Sequence, residues 1–165
     1  MMNDERRTFT GGLEIRDGRF PGERMAVGYA AKFDTRSENL GGFVERVASS
    51  AFTKTVQEAD VVALRDHEPS RLLGRTSAGT LRLGVDEVGL RYEIDLPDTS
   101  EGRDTRELLE RGDLLGSSFG FRTIADSWSE TSDGYPLRTL HEVALRDVGP
   151  VTFPAYSSSE ASLRH

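Results

Sequence analysis

The sequence predicts an α+β domain dominated by antiparallel strands, and three observations carry that reading. Short segments alternating apolar with polar residues recur along the chain, separated by turn-forming clusters. Seventeen glycines in 165 residues favour turns and strands over a helix bundle. Only two segments show helical spacing. The pattern gives about seven strands and two helices, hence a barrel or a sandwich.

Residues 1–12 read as a flexible N-terminal arm, 13–157 as a single folded domain, and 158–165 as a flexible C-terminal tail that is rich in serine at its start. Met25 to Phe33 reads as a strand, 34–42 as a turn, and Phe43 to Val47 as the next strand. Ala51, Phe52, Thr55, Val56 and Ala59 fall at helical spacing behind Ser49 or Ser50 as cap. Val61 to Arg65 is a mostly apolar run of strand length, with His67 just past its end and a loop over 68–79. Thr80–Val85 and Leu90–Leu96 alternate as a hairpin across Asp86 to Gly89. The strongest helix signal runs from Ser100 to Gly112, with Thr99 or Ser100 as cap, Glu101 in the first turn and Gly112 as its stop. Leu114 to Arg122 is extended, 125–136 is polar and turn-like, Leu137 to Val148 alternates, and Pro150 to Tyr156 forms a short last strand.

Composition removes several functions. A net charge of −7 and a pI near 5.0 disfavour a phosphate backbone as partner, so nucleic acid is not expected. No apolar run approaches the roughly 18 residues of a membrane span, and the polar start, Met1 to Arg7, is unlike a secretory signal. The expected setting is the cytoplasm. Without cysteine there is no disulfide, thiol nucleophile or thiolate-held metal, and three scattered histidines do not make a zinc cluster. No cofactor and no metal are expected.

A hydrolase of this composition can still use serine, histidine and an orienting group, because a serine hydroxyl gains nucleophilicity only from a base that takes its proton. His67 is placed to be that base, at the mouth of a loop after a buried strand. His141 lies mid-strand and His165 ends the chain. Ser118 is the candidate nucleophile. Gly116, Ser117, Ser118 and Gly120 leave room for a substrate backbone, while alternation puts Phe119 and Phe121 on the opposite face. Ser117, the rival, then points into the core. Glu142 is the candidate orienting carboxylate, with His141 beside it as competitor. For each residue the bland reading also stands: a surface histidine, a small residue kept for packing, a solvated charge.

Taken together, Asp66-His67 to Leu73-Gly74, the Ser118-Phe119-Gly120-Phe121 motif and the ending from Glu142-Val143-Ala144-Leu145 through Pro154-Ala155-Tyr156 resemble the prohead (capsid maturation) proteases of HK97-type tailed phages. The resemblance covers roughly residues 25–157. It implies a β-barrel wrapped by helices, the fold shared with herpesvirus assemblin proteases. It also implies a serine endopeptidase that cleaves scaffold and capsid-protein segments, and itself, inside the new procapsid in the host cytoplasm. His67, Ser118 and Glu142 are then the catalytic residues. The major capsid protein with its scaffold segment is the partner, and a homodimer is compatible. The herpesvirus enzymes carry an Arg where this chain reads Val148-Gly149-Pro150-Val151, which leaves the oxyanion donors open, with backbone N–H groups around Ser118 to Gly120 as one candidate set. Substrate is expected to add as an extended strand along a sheet edge, helped by the high concentration inside a capsid. Two other classes remain in view: a non-catalytic assembly module on the same fold, and an esterase or acyltransferase. Against the latter, Gly116-Ser117-Ser118-Phe119-Gly120 is not a G-x-S-x-G elbow.

Overall fold

Alternation along the chain places two faces of apolar side chains against each other. The computed structural model describes residues 4–153. In chain order the elements are β1 (Glu5–Thr10), β2 (Glu14–Asp17), β3 (Arg24–Lys32), β4 (Val44–Val47), α1 (Thr55–Glu58), β5 (Val62–Leu64), β6 (Leu72–Arg75), β7 (Leu81–Val85), β8 (Gly89–Asp95), α2 (Ser100–Arg111), β9 (Gly116–Glu130) and β10 (Pro136–Val151). One sheet has the order β1-β9-β10-β5-β6, with β4 also on β10. The other has the order β2-β3-β8-β7. Pairing is antiparallel except for β10 with β4 and β10 with β5.

The sheets do not close into the expected barrel. β6 and β7 follow one another in sequence, but the turn between them carries the chain from one sheet to the other, so the ladder ends there. What the two sheets share is a core. Tyr92, Leu81, Leu90 and Ile94 of the second sheet are buried in one cluster with Phe119, Phe121, Leu140, Val143 and Val148 of the first. Phe119 stacks on Phe121 at 4.8 Å and receives the edge of Phe52 at 5.3 Å. Each such buried side chain stabilises the fold by roughly 1.5–3 kcal/mol relative to exposure.

Local sequence explains most elements. Thr99 caps α2 by accepting the Gly102 N–H at 3.1 Å, and Gly112, at φ 83°, ends it with its N–H on the Leu108 and Leu109 carbonyls. The expected helix after Ser49 shrinks to the single turn α1. Residues 48–53 instead form hydrogen-bonded turns that drive Ala51 and Phe52 fully into the core. Part of the loop expected over 68–79 is strand β6. The polar stretch 125–130 continues β9, and the two expected C-terminal strands are one, β10, up to Val151. The arm expected at 1–12 contains β1, which lies along β9. The tail at 158–165, Pro154-Ala155-Tyr156 and His165 lie outside the described residues. Among the described residues no helix is long and apolar enough to cross a membrane.

Ser117 has a structural task. Its hydroxyl and the Tyr92 phenol share a hydrogen bond of 2.7 Å, with both residues fully buried. Burial pushes the phenol's pKa up, so it stays neutral. Ser117→Ala strands that phenol, and the expected loss is about 1–3 kcal/mol. Denaturant unfolding measures it, and the folded variant should keep the reactivity of Ser118.

Candidate active site

β9 and β10 form the floor of the site. Across their ladder Ser118 faces Gly149 and Gly120 faces Asp147, so all four share one face. Each functional side chain therefore stands opposite a glycine. Ser118 and Asp147 are diagonal neighbours, a relationship that in sheets spans roughly 7–8 Å. An imidazole with a hydrogen bond at each end fits that gap. The two glycines serve the parts around it: a Cβ on Gly120 would overlap the Asp147 carboxylate, and one on Gly149 would overlap the Leu64 carbonyl where β5 leads into the His67 turn.

His67 supplies the ring. β5 runs parallel to β10, pairing Val62 with Asp147 and Ala63 with Val148, which delivers the next turn over the floor. There the backbone enters the left-handed region at two non-glycine residues, Asp66 (φ 53°) and His67 (φ 60°). Such conformations cost of order 1–3 kcal/mol each and persist where neighbours enforce them. Here the Asp66 carboxylate accepts the Thr152 N–H at 2.6 Å and the Thr152 hydroxyl at 2.8 Å. On the other side Arg65 pairs with Glu101 of α2 at 2.9 Å. Thr152, just past the end of β10, and the first turn of α2 thus hold the turn that aims His67.

The result is a continuous relay. His67 Nε2 lies 2.6 Å from Ser118 Oγ, and Nδ1 lies 2.6 Å from Asp147 Oδ2. A proton on Nδ1 satisfies both contacts, since Nδ1–H donates to the carboxylate and Nε2 stays free to accept from the serine. The His67 and Asp147 side chains are 10% and 13% exposed, and Ser118 is fully buried. Water is largely excluded, which strengthens both contacts.

The structure brings His67 and Ser118 together, but it puts Asp147 where the sequence put Glu142. Glu142 sits five positions earlier on β10, which is roughly 16 Å along an extended strand. It lines a separate shallow pocket with Lys54, Thr55 and Ile124. His141 is exposed and bonds Ser127 at 2.7 Å, also away from the relay. Sequence reasoning missed Asp147 because Arg146-Asp147 reads as ordinary surface charge. The one hint was Gly120, two residues past Ser118, whose missing side chain leaves a gap on the serine's face without saying which residue of another strand fills it. A register shift between Leu145 and Asp147 then turns the carboxylate to the serine's face.

A serine, a histidine and a carboxylate in hydrogen-bonded sequence on the face of a sheet are the parts of a serine hydrolase. The model of the caudovirus prohead serine protease family, Peptidase_S78, matches residues 13–165, and the chain belongs to that family. Among solved structures it is similar to the capsid assembly protease gp21 of bacteriophage T4. The TM-score is 0.61 at 12% identity, covering 92% of this chain and 98% of that one. No curated protein matches the sequence. The fold is therefore that of a known capsid assembly protease, and this chain is a prohead protease by family.

Proposed function

We propose that this prohead protease is a serine endopeptidase in which Ser118 is the nucleophile, His67 its general base and Asp147 the group that orients His67. The observation that carries the reading is the single imidazole held at 2.6 Å from both Ser118 and Asp147. As Ser118 Oγ attacks the scissile carbonyl, His67 Nε2 takes its proton. Asp147 keeps the ring in the productive tautomer and offsets the imidazolium charge. His67 then gives that proton to the leaving amine. Water, deprotonated by the same nitrogen, releases the acyl group and restores Ser118.

The substrates that fit are the scaffold segment of the major capsid protein, and the protease itself, within the procapsid. To test this, the purified chain is mixed with capsid protein that carries its scaffold segment, at concentrations approaching those inside a procapsid, and intact masses are followed. Fragment pairs whose masses account for the precursor plus one water are expected. An uncut precursor alongside turnover of a simple ester would overturn the endopeptidase reading in favour of an esterase.

A further inference from the structure

Ser118 has no exposed surface, although a nucleophile must meet a carbonyl carbon. β10 covers one side of its strand and β1 the other, with Thr8 directly opposite Ser118. The Arg7 carbonyl lies 2.7 Å from Ser118 Oγ and accepts its hydrogen bond. One hydroxyl proton cannot serve Arg7 O and His67 Nε2 together. β1 therefore hides the nucleophile and competes for the proton that the base must take.

β1 is also the part of the described chain that the family model leaves unmatched, since the match begins at residue 13. Two glycines at positive φ, Gly11 and Gly12, join it to the rest. It borders a cleft of about 650 Å³, walled on the far side by residues such as Thr35, Leu40, Phe43 and Glu45 and reaching His67. If β1 lifts, that cleft opens onto Ser118.

The side chains of β1 are bound as a ligand's would be. The Arg7 guanidinium grips Glu45 with two bonds, Nε to Oε1 at 2.6 Å and Nη2 to Oε2 at 3.1 Å, and lies over the Phe121 ring at 5.5 Å. Glu45 is 2% exposed and also meets Arg138 at 3.3 Å, so it keeps a charge partner without β1. Two residues on, Phe9 stacks on Phe119 at 6.2 Å. Glu5 bonds Arg138 at 2.8 Å. Burial opposes the Glu5 charge, but hydrogen bonds from Arg138 and Thr123 outweigh it and hold the pKa down at about 2.

We infer that the β9 edge beside Ser118 is the peptide-binding site, that residues 5–10 fill it in cis, and that Glu45 with Phe121 forms its arginine subsite. This deepens the endopeptidase reading and rests on it. The ligand class is an extended peptide with Arg followed two positions later by an aromatic or apolar residue. Adding as a strand, it takes the main-chain bonds that β1 now makes. A tethered occupant silences the enzyme when dilute, and peptide at capsid concentration displaces it.

The experiment measures acylation of Ser118 by a fluorophosphonate in the full chain, with Ser118→Ala as the unlabelled control. Arg7→Ala and Phe9→Ala, singly and together, weaken β1 without touching the relay, and circular dichroism checks each fold. Each folded single variant should label about tenfold faster than wild type, and the folded double variant faster still, because losing the charge-assisted Arg7–Glu45 pair or the stacked Phe9 ring raises the open fraction by that order. A synthetic peptide of residues 4–11 should slow labelling of Arg7→Ala again, and the same peptide with Glu in place of Arg7 should not. Equal rates in wild type and all folded variants overturn the inference while leaving Ser118 a reactive nucleophile. Protection by both peptides alike removes the arginine subsite. No labelling of any chain overturns the hydrolase reading, and this inference with it.

Discussion

Ser118→Ala is expected to leave both the capsid-protein precursor and the protease itself uncut. The nucleophile and its base act as a unit, and removing either typically costs a factor of about 10⁴ to 10⁶ in turnover. At that loss, cleavage during a particle's assembly is invisible. The variant should still fold. Ser118 lies flat on β9 with glycine opposite, and loss of one hydroxyl leaves His67 held by Asp147 and by the Asp66–Thr152 bonds. The neighbouring Ser117→Ala is the control with opposite expectations, less stable but active. The two serines stand on opposite faces of one strand, so the pair tests the geometry as well as the chemistry.

Asp147→Asn should be nearly as damaging. The amide that replaces the carboxylate can turn its NH₂ toward Nδ1 and favour the tautomer with its proton on Nε2. In that form the nitrogen facing Ser118 already carries a proton and cannot take the serine's. In a relay of this kind the expected fall in turnover is about 10⁴. Gly120→Ala should act the same way, because its Cβ needs the space of the Asp147 carboxylate. Glu142→Gln should cleave at the wild-type rate, since Glu142 lies in another pocket. Progress curves on one capsid precursor, with circular dichroism on each variant, measure all three. Loss in Glu142→Gln but not in Asp147→Asn would return the orienting role to Glu142.

How much of this was legible in the sequence depends on how local the cause is. α2 was readable almost to the residue, because Thr99 and Gly112 act on their own turns. The β7–β8 hairpin was readable for the same reason. The pairing of His67 with Ser118 was reached through motif resemblance, and the placement of Ser117 in the core through strand alternation. Asp147 was hidden because its role depends on a register shift and on a glycine in another strand, neither of which marks position 147 itself. Sheet closure was hidden too. The strands were mostly foreseen, but whether β6 pairs β7 or passes to the other sheet is decided by packing, not by either strand's pattern. β1 reads as a polar arm because its partner surface, Glu45, Phe121 and Arg138, is assembled from β4, β9 and β10, all remote in sequence. Nothing between Asp4 and Gly11 announces that surface.

The relay also accounts for the chain's glycine placement in a way composition alone does not. Gly120 and Gly149 are not turn residues. Gly120 leaves room for the Asp147 carboxylate on the serine's face, and Gly149 lets the Leu64 backbone close on β10 just before the His67 turn. The strained turn at Asp66 and His67 then fixes the imidazole from above, with Thr152 and α2 as its anchors.

The most direct test of the central claim is co-expression with the capsid protein, comparing wild type, Ser118→Ala and Ser117→Ala by intact mass. The account predicts processed capsid protein with wild type and Ser117→Ala, and only full-length precursor with Ser118→Ala. Processing by Ser118→Ala at the wild-type level would contradict it, as would unprocessed capsids assembling normally around the wild-type chain.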